Sequence, residues 1–283
     1  MDRLLLVDGS NLLFQMFYGM PSRIVNHQGR AIQGTLGFVG ALLKMIRMTC
    51  PTHVAVLFDG EHANERKDLD ADYKANRPDF SQMPEEEIPF SQLPDIFAAL
   101  RYLEIPFAET EVCEADDWMA GYALQYGSDR QVIIASQDSD FFQLINQNVF
   151  VLRYRGDNSQ LCSAKYVREK FGVSPDRYAD FKALVGDTAD NVRGIKGIGP
   201  KTAASLLEAY GDLEGILSNA QDVPKKALRE ALLEGAERLR INSALIKLTN
   251  SVSLPFSLEE TVYFPKNLTT REVLTEIGVL QSR

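Results

Sequence analysis

Three short apolar runs, each ending in an acid, constrain this chain more than any other feature of its sequence. Leu4-Leu5-Leu6-Val7 stops at Asp8-Gly9-Ser10, and His53-Val54-Ala55-Val56-Leu57-Phe58 stops at Asp59-Gly60. Gln131-Val132-Ile133-Ile134-Ala135-Ser136 runs into Gln137-Asp138-Ser139-Asp140. Continuous apolar runs of this length fit strands buried on both faces. Shorter runs at Ile105-Pro106-Phe107-Ala108 and Val149-Phe150-Val151-Leu152 extend the pattern, and helical stretches lie between, one of them from Phe38 to Arg47. Buried strands alternating with helices predict an α/β fold with a mostly parallel, doubly wound sheet. Ligands of such sheets bind in the crevice beyond the carboxyl ends of the strands. Three strands thus deliver aspartates to one edge.

A further acidic cluster opens a helical run at Cys113-Glu114-Ala115-Asp116-Asp117-Trp118. Positions i and i+3 share a helix face, so Glu114 and Asp117 can point into one cleft with Asp116 beside them. Acids in a first turn also complement the helix dipole without any further role. The surrounding acids decide between these readings in favour of a site.

The net charge of −9 over 283 residues argues against a polyanionic partner, unless many of the acids are gathered around bound cations. The chain begins at Met1 and goes directly into an apolar strand, which argues against a signal peptide or membrane span. Cys50, Cys113 and Cys162 are odd in number and widely spaced, which fits a reducing cytoplasm rather than disulfides or a thiolate zinc site.

Residues 61–94 form a charged, Pro-bearing connection poor in aliphatics, with Asn64-Glu65-Arg66-Lys67-Asp68, Tyr73-Lys74-Ala75-Asn76-Arg77-Pro78 and Glu85-Glu86-Glu87. So long a connection is either functional or a solvated loop. Tyr73, Lys74 and Arg77 are expected to share a helical face, offering one aromatic and two cations. After Leu161 the chain reads as wholly helical, over Ala164–Phe171, Pro175–Val185, Pro200–Tyr210 and Lys225–Leu248, with a last short helix near Thr270–Ile277. Asp187 and Asp190 fall at i and i+3 at a helix end. Gly194-Ile195-Lys196-Gly197-Ile198-Gly199-Pro200-Lys201-Thr202 nearly matches a P-loop, but Pro200 stands where its Lys belongs and no strand precedes it. A tight turn between helices fits better, with amides placed to hold a phosphate.

Asp8, Asp59, Glu114, Asp116, Asp117, Asp138, Asp140, Asp187 and Asp190 form the candidate set. Unpaired acids so close repel by several kcal/mol per pair, so bound cations or protons are needed. All-oxygen ligation favours Mg²⁺ or Mn²⁺. Two such ions about 4 Å apart suit an in-line phosphoryl displacement. None of the three histidines, His27, His53 and His62, lies near these motifs.

The ordered set of motifs resembles the 5′-3′ exonuclease/flap endonuclease family, in the branch typified by the N-terminal nuclease domain of bacterial DNA polymerase I, here in stand-alone form. It comprises Val7-Asp8-Gly9-Ser10, Phe58-Asp59, Tyr73-Lys74 with Arg77, Glu114-Ala115-Asp116-Asp117, Asp138-Ser139-Asp140, Gly186-Asp187 with Asp190-Asn191, and Gly194 to Thr202. The resemblance implies a PIN-like nuclease core over residues 1–162, a helical arch at 61–94, and a helical DNA-binding domain over 163–283 with a helix–hairpin–helix turn at 194–202. It also implies roles. Asp8, Asp59, Glu114 and Asp116 would surround the catalytic Mg²⁺. Asp138, Asp140 and Asp187 would hold a second ion, with Asp116 between the two, while Asp117 and Asp190 would act through water. Lys74 and Arg77 would steer the scissile phosphate, Tyr73 would stack the terminal base, and Arg66 would add a basic contact from the arch. Gly194, Lys196, Gly197, Gly199, Lys201 and Thr202 would grip the duplex backbone around a K⁺ ion.

The implied partner is DNA with 5′ flaps, nicks or gaps, read without sequence preference, together with a separate DNA polymerase, the chain itself being a monomer. The implied setting is replication and repair. One position departs from the pattern: Gln15 stands where polymerase-linked relatives carry Arg, removing a phosphate clamp. Two other readings remain, a structure-specific DNA-binding protein with weakened catalysis and an RNase on a related acid-rich sheet.

Overall fold

The computed structural model describes residues 2–60, 65–80, 82–84, 87–249 and 252–282, with the backbone alone of Glu65. His62, Asn64 and the Glu85-Glu86 pair therefore lie outside the described residues.

The strands run β1 (Arg3–Asp8), β2 (His53–Phe58), β3 (Phe107–Glu109), β4 (Gln131–Ala135), β5 (Val149–Arg153) and β6 (Gln160–Cys162). They form one sheet in the order β3-β2-β1-β4-β5-β6, parallel from β3 through β5, with β6 antiparallel at the edge. The mostly parallel sheet predicted from the apolar runs is present. The run at 105–108 is shifted, since pairing begins at Phe107, and the antiparallel edge strand carried no comparable apolar signal.

Alternation explains why β1 is apolar throughout. Leu4 and Leu6 enter one buried cluster and Leu5 and Val7 the other, because successive side chains leave opposite faces. One face is covered by α2 (Gln33–Thr49), α4 (Leu93–Leu103) and α12 (Thr270–Glu276). The other is covered by α5 (Ala115–Tyr126) and by the helices that follow β6. A further helix, α1 (Gly9–Gly19), starts directly at the end of β1.

Those later helices are α6 (Ala164–Phe171), α7 (Tyr178–Val185), α8 (Pro200–Tyr210), α9 (Leu213–Ser218), α10 (Lys226–Glu234) and α11 (Ala236–Ile246). The expected helix 225–248 is two helices broken at Gly235, where a Cβ would stand 2.5 Å from Ile195 and 2.8 Å from the Ala231 carbonyl. This half is not wholly helical. A two-stranded ribbon, β7 (Gly186–Asp187) against β8 (Val192–Arg193), follows α7, so Asp187 sits on a ribbon and not at a helix end. Gly186, at φ 90°, makes that departure from the helix.

Within the expected arch at 61–94, the described residues form the short helix α3 (Glu65–Leu69), turns through Arg77 and a single-turn helix at Pro89–Gln92. Tyr73, Lys74 and Arg77 therefore do not share a helical face, and Lys74 takes φ 55°. Among the described residues no helix is long and apolar enough to cross a membrane.

Candidate active site

The carboxyl ends of β1, β2 and β4 bring Asp8, Asp59 and Asp138 to one edge, beside the switch point between β1 and β4. Asp8 caps α1, accepting from the Asn11 amide at 2.9 Å and from Ser136 Oγ at 2.8 Å. Asp59 accepts from the Ala115 amide at 2.9 Å, which ties the end of β2 to the start of α5. Its own amide donates to Ser10 Oγ at 2.9 Å. Asp138 accepts from the Asp140 amide at 2.8 Å. These bonds fix the carboxylates before any ligand arrives.

Two groups of acids meet at this edge, and Asp138 acts on both. Burial, then Asp138, Asp59 and Asp8, push the Asp116 carboxyl well above the usual carboxylate range. Burial and then Asp59 raise Asp8 to about 7. The second group is Asp140, Asp187 and Asp190, each of which offers one oxygen within 4.8 Å of the others. Burial raises Asp140 to about 7 against the opposing pull of Lys182, and burial also raises Asp190. Asp190, for which the resemblance implies a role through water, lies in the same group of oxygens as Asp140 and Asp187.

Glu114 and Asp117 share the Arg66 guanidinium, while Asp116 is pressed by Asp138, Asp59 and Asp8. Glu114 is engaged by Arg66 and Lys74, with Tyr73 Oη donating at 3.4 Å. Asp117 accepts from Arg66 Nη2 at 2.8 Å and from the Thr249 amide at 3.0 Å. Asp117 is therefore an arm of a buried ion network, and with Glu114 it lines one cleft of about 550 Å³, as their i, i+3 spacing predicts.

The basic residues are placed differently from their expected roles. Arg66 is 9% exposed and bonded to two acids, so it braces the site instead of reaching outward to DNA. Tyr73 is 3% exposed and packs in the core cluster, so its ring is not presented for a base. Lys74 is buried against Glu114. Arg77, whose side chain is 54% exposed, stands 3.4 Å from Asp190 and remains solvent-accessible. Asp59, Lys67, Lys74, Arg77 and Glu114 line a cavity of about 370 Å³ at this edge. The turns bearing these residues are pinned to the ribbon: the Lys74 amide donates to the Asp190 carbonyl at 2.9 Å, and Asn191 Nδ2 to the Asp72 carbonyl at 2.7 Å.

Lys182 was not singled out from the sequence. It lies on α7, is 5% exposed, and forms ion pairs with Asp140 and Asp187. A lysine among Phe181, Ala183 and Leu184, on a helix otherwise buried from Tyr178 to Leu184, was the available signal. The repulsion argument thus omitted a cation that the chain itself supplies.

The turn at 194–202 is open. Lys196, Gly197, Gly199 and Lys201 are exposed and Thr202 is half-buried, while Ile198 inserts into the core. Gly197 has φ 89°, and Gly194 lies so close to the Val185 carbonyl that a Cβ would approach it to 2.1 Å. Gln15 faces elsewhere, with Nε2 donating to the Tyr154 carbonyl at 2.8 Å, so at this position the chain carries a packing bond.

The donors at this edge are all oxygens, which fits a hard divalent cation. His53 begins β2, at the opposite edge of the sheet from Asp59. Asp8, Asp59, Asp116 and Asp138 could hold one ion, and Asp140, Asp187 and Asp190 another.

Two family models, placed end to end, match the chain. The family described as 5′-3′ exonuclease, N-terminal resolvase-like domain, matches residues 3–172, and the 5′-3′ exonuclease C-terminal SAM fold matches residues 173–269. The chain belongs to the 5′-3′ exonuclease family, whose members are hydrolytic nucleases. Among curated relatives, the 5′-3′ exonuclease of Aquifex aeolicus is 34% identical over 92% of this chain and 86% of that protein. DNA polymerase I of Rhizobium leguminosarum is 40% identical over 94% of this chain, but the match spans 26% of the polymerase's length. Among solved structures, a flap endonuclease of bacteriophage T5, in a pseudo-enzyme-product complex with DNA and metal ions, superposes with a TM-score of 0.71. That match has 22% identity and covers 98% of this chain and 93% of the other, and it establishes the shared fold.

Proposed function

We propose that this protein is a structure-specific 5′-3′ exodeoxyribonuclease and flap endonuclease that hydrolyses phosphodiesters at DNA 5′ ends, nicks and flaps during replication and repair. The observation that carries the proposal is the convergence of Asp8, Asp59, Asp116, Asp138, Asp140, Asp187 and Asp190 at one sheet edge, beside a cavity lined by Arg77 and Lys67. Bound there, two Mg²⁺ ions, with Mn²⁺ as the alternative, would supply a hydroxide nucleophile and neutralise the leaving oxygen.

The chain's own residues do the rest. Ser10, Asn11, Ser136 and the Ala115 amide hold Asp8, Asp59 and their backbone in place. Arg77 receives the phosphate, and Lys74 fixes Glu114 beneath it. The exposed amides and lysines of 194–202 grip duplex backbone, with room beside Gly197 and Gly199 for a K⁺ ion, since nothing lies within 4 Å of a Cβ built at either. Such contacts read phosphates and not bases. We assign the chemistry to residues 1–162 and the duplex grip to 163–283. The expected arch at 61–94 includes residues outside those described. The reading includes a monomeric chain, a separate DNA polymerase as partner, and a reducing, cytoplasmic setting that its three free cysteines suit.

The test is product mapping on a 5′-labelled DNA flap and a nicked duplex with titrated Mg²⁺ or Mn²⁺, beside a matched RNA flap. Cleavage near the flap junction with preference for DNA supports the proposal. No cleavage with either metal would sink it, and faster RNA cleavage would favour the RNase reading.

A further inference from the structure

Lys182 stands out because it occupies the middle of a group of acids that a cation is expected to fill. Its ammonium pairs with Asp140 and Asp187 and lies 3.4 Å from Ser139 Oγ, and its side chain is 7% exposed. The same two carboxylates, with Asp190, offer oxygens within 4.8 Å of one another. Asp138 adds its attraction for the Lys182 ammonium to those of Asp140 and Asp187. Elsewhere α7 packs in the core through Tyr178, Phe181, Ala183 and Leu184, and its other charge, Asp180, pairs with Lys247 and not with Lys182. The segment also cannot easily swing aside, because Gly186 and Gly194 are in backbone contact and Asn242 Nδ2 donates to the Ala183 and Arg193 carbonyls at 2.9 Å and 2.8 Å.

We propose that Lys182 is the site's internal counter-ion. Its ammonium neutralises Asp140 and Asp187 in the metal-free protein, and a divalent cation joins those carboxylates by displacing it. The inference rests on the reading of these acids as a metal site and adds a positioning residue to it. Three consequences follow. The metal-free chain keeps the acids together without a bound ion. The cation at this pair binds more weakly than the carboxylates alone would allow, because an attraction already made must be given up. The released ammonium stays tethered at the site's edge, the side on which a DNA phosphate would lie.

The test uses chelator-stripped full-length protein without DNA, titrated with Mn²⁺ and followed by the electron paramagnetic resonance of free Mn²⁺ and by calorimetry. Wild type should show a tighter and a weaker class of site. Lys182→Met should tighten the weaker class by about tenfold or more, taking the lost attraction as that of one close pair at intermediate dielectric. The same variant should melt at a lower temperature without metal and gain more from saturating Mn²⁺ than wild type does. Lys182→Gln, which keeps the length and a hydrogen-bond donor, should show the same tightening even where Lys182→Met fails to fold. An unchanged or weakened second class would overturn the proposal, since a lysine that merely supports Asp140 from outside gives that result, and so would a single class in both proteins. Because the titration contains no DNA, failure of flap cleavage leaves its outcome standing, and unchanged Mn²⁺ affinity leaves the nuclease reading intact.

Discussion

Arg66 offers a clear test of the difference between a residue that looks like a DNA contact and one that holds the site together. Its guanidinium pairs with Glu114 and with Asp117, and the three side chains are 11%, 9% and 6% exposed. Arg66→Met keeps the apolar stem and removes both pairs. Glu114 then retains Lys74, and Asp117 retains the Thr249 amide, so neither acid is stranded entirely. Removing one partner from a buried ion network costs about 3–5 kcal/mol, because charge is left without its compensation. With a urea m-value of about 3 kcal/mol per molar for a chain of this size, the unfolding midpoint should fall by about 1–1.7 M. The assay is equilibrium urea unfolding followed by circular dichroism, paired with anisotropy on a nicked duplex at several salt concentrations. At temperatures where the variant is folded, its duplex affinity and salt slope should match wild type. An unchanged urea midpoint with a shallower salt slope would refute the argument and return Arg66 to the DNA surface.

Four other perturbations read other parts of the site. Asp8 has its carboxyl raised to about 7 in the folded chain, so between pH ~4 and ~7 the unfolded state sheds that proton first. Metal-free stability should therefore fall as pH rises through this window, by up to ~4 kcal/mol for a shift of about three units, and Asp8→Asn should flatten the profile in urea melts from pH 5 to 8; an equally steep profile would contradict this. Asp116→Asn should remove flap cleavage while leaving flap binding by anisotropy intact, and equal loss of both would mean the residue is misassigned. Gln15→Arg should not raise turnover, because Gln15 Nε2 is committed to the Tyr154 carbonyl, and loss of that bond should lower stability by about 1 kcal/mol; a large gain in turnover would instead support the weakened-catalysis reading. Lys196→Glu with Lys201→Glu should weaken duplex binding uniformly across sequences and flatten the salt dependence by about two phosphate contacts, with the urea midpoint unmoved since both lysines are exposed.

The legible part of the site was the part built by backbone geometry. A run such as Leu4 to Val7, apolar on both faces, has to lie inside a sheet, and the residue that ends it has to emerge at the sheet's carboxyl edge. Asp8, Asp59 and Asp138 could be placed on that ground alone. The turn at 194–202 was readable for a similar reason, since Gly197 adopts a left-handed φ that favours glycine. Side-chain partners were not legible in the same way. Glu114 and Asp117 satisfy the i, i+3 rule at the start of α5 and line one cleft, yet the cation they share there is Arg66, from a segment 48 and 51 residues away. Tyr73 and Lys74 were read as a helical face, but the Lys74 amide donates to the Asp190 carbonyl and Asn191 Nδ2 to the Asp72 carbonyl, and the segment is set as turns.

The sequence by itself determined the sheet, the edge at which acids collect, and the chemistry those acids suit, because strand burial and all-oxygen donor sets follow from local residue types. The tertiary structure alone decided how the charges are balanced. Whether a lysine in an apolar helix lies at the surface or between Asp140 and Asp187 depends on how α7 docks against the short helical turn Asp140–Leu144, whose Asp140 lies 42 residues before Lys182, and against the ribbon. Long-range pairing of this kind is governed by the electrostatic energy of the assembled interior, where an unpaired charge is costly and a distant partner is as good as a near one.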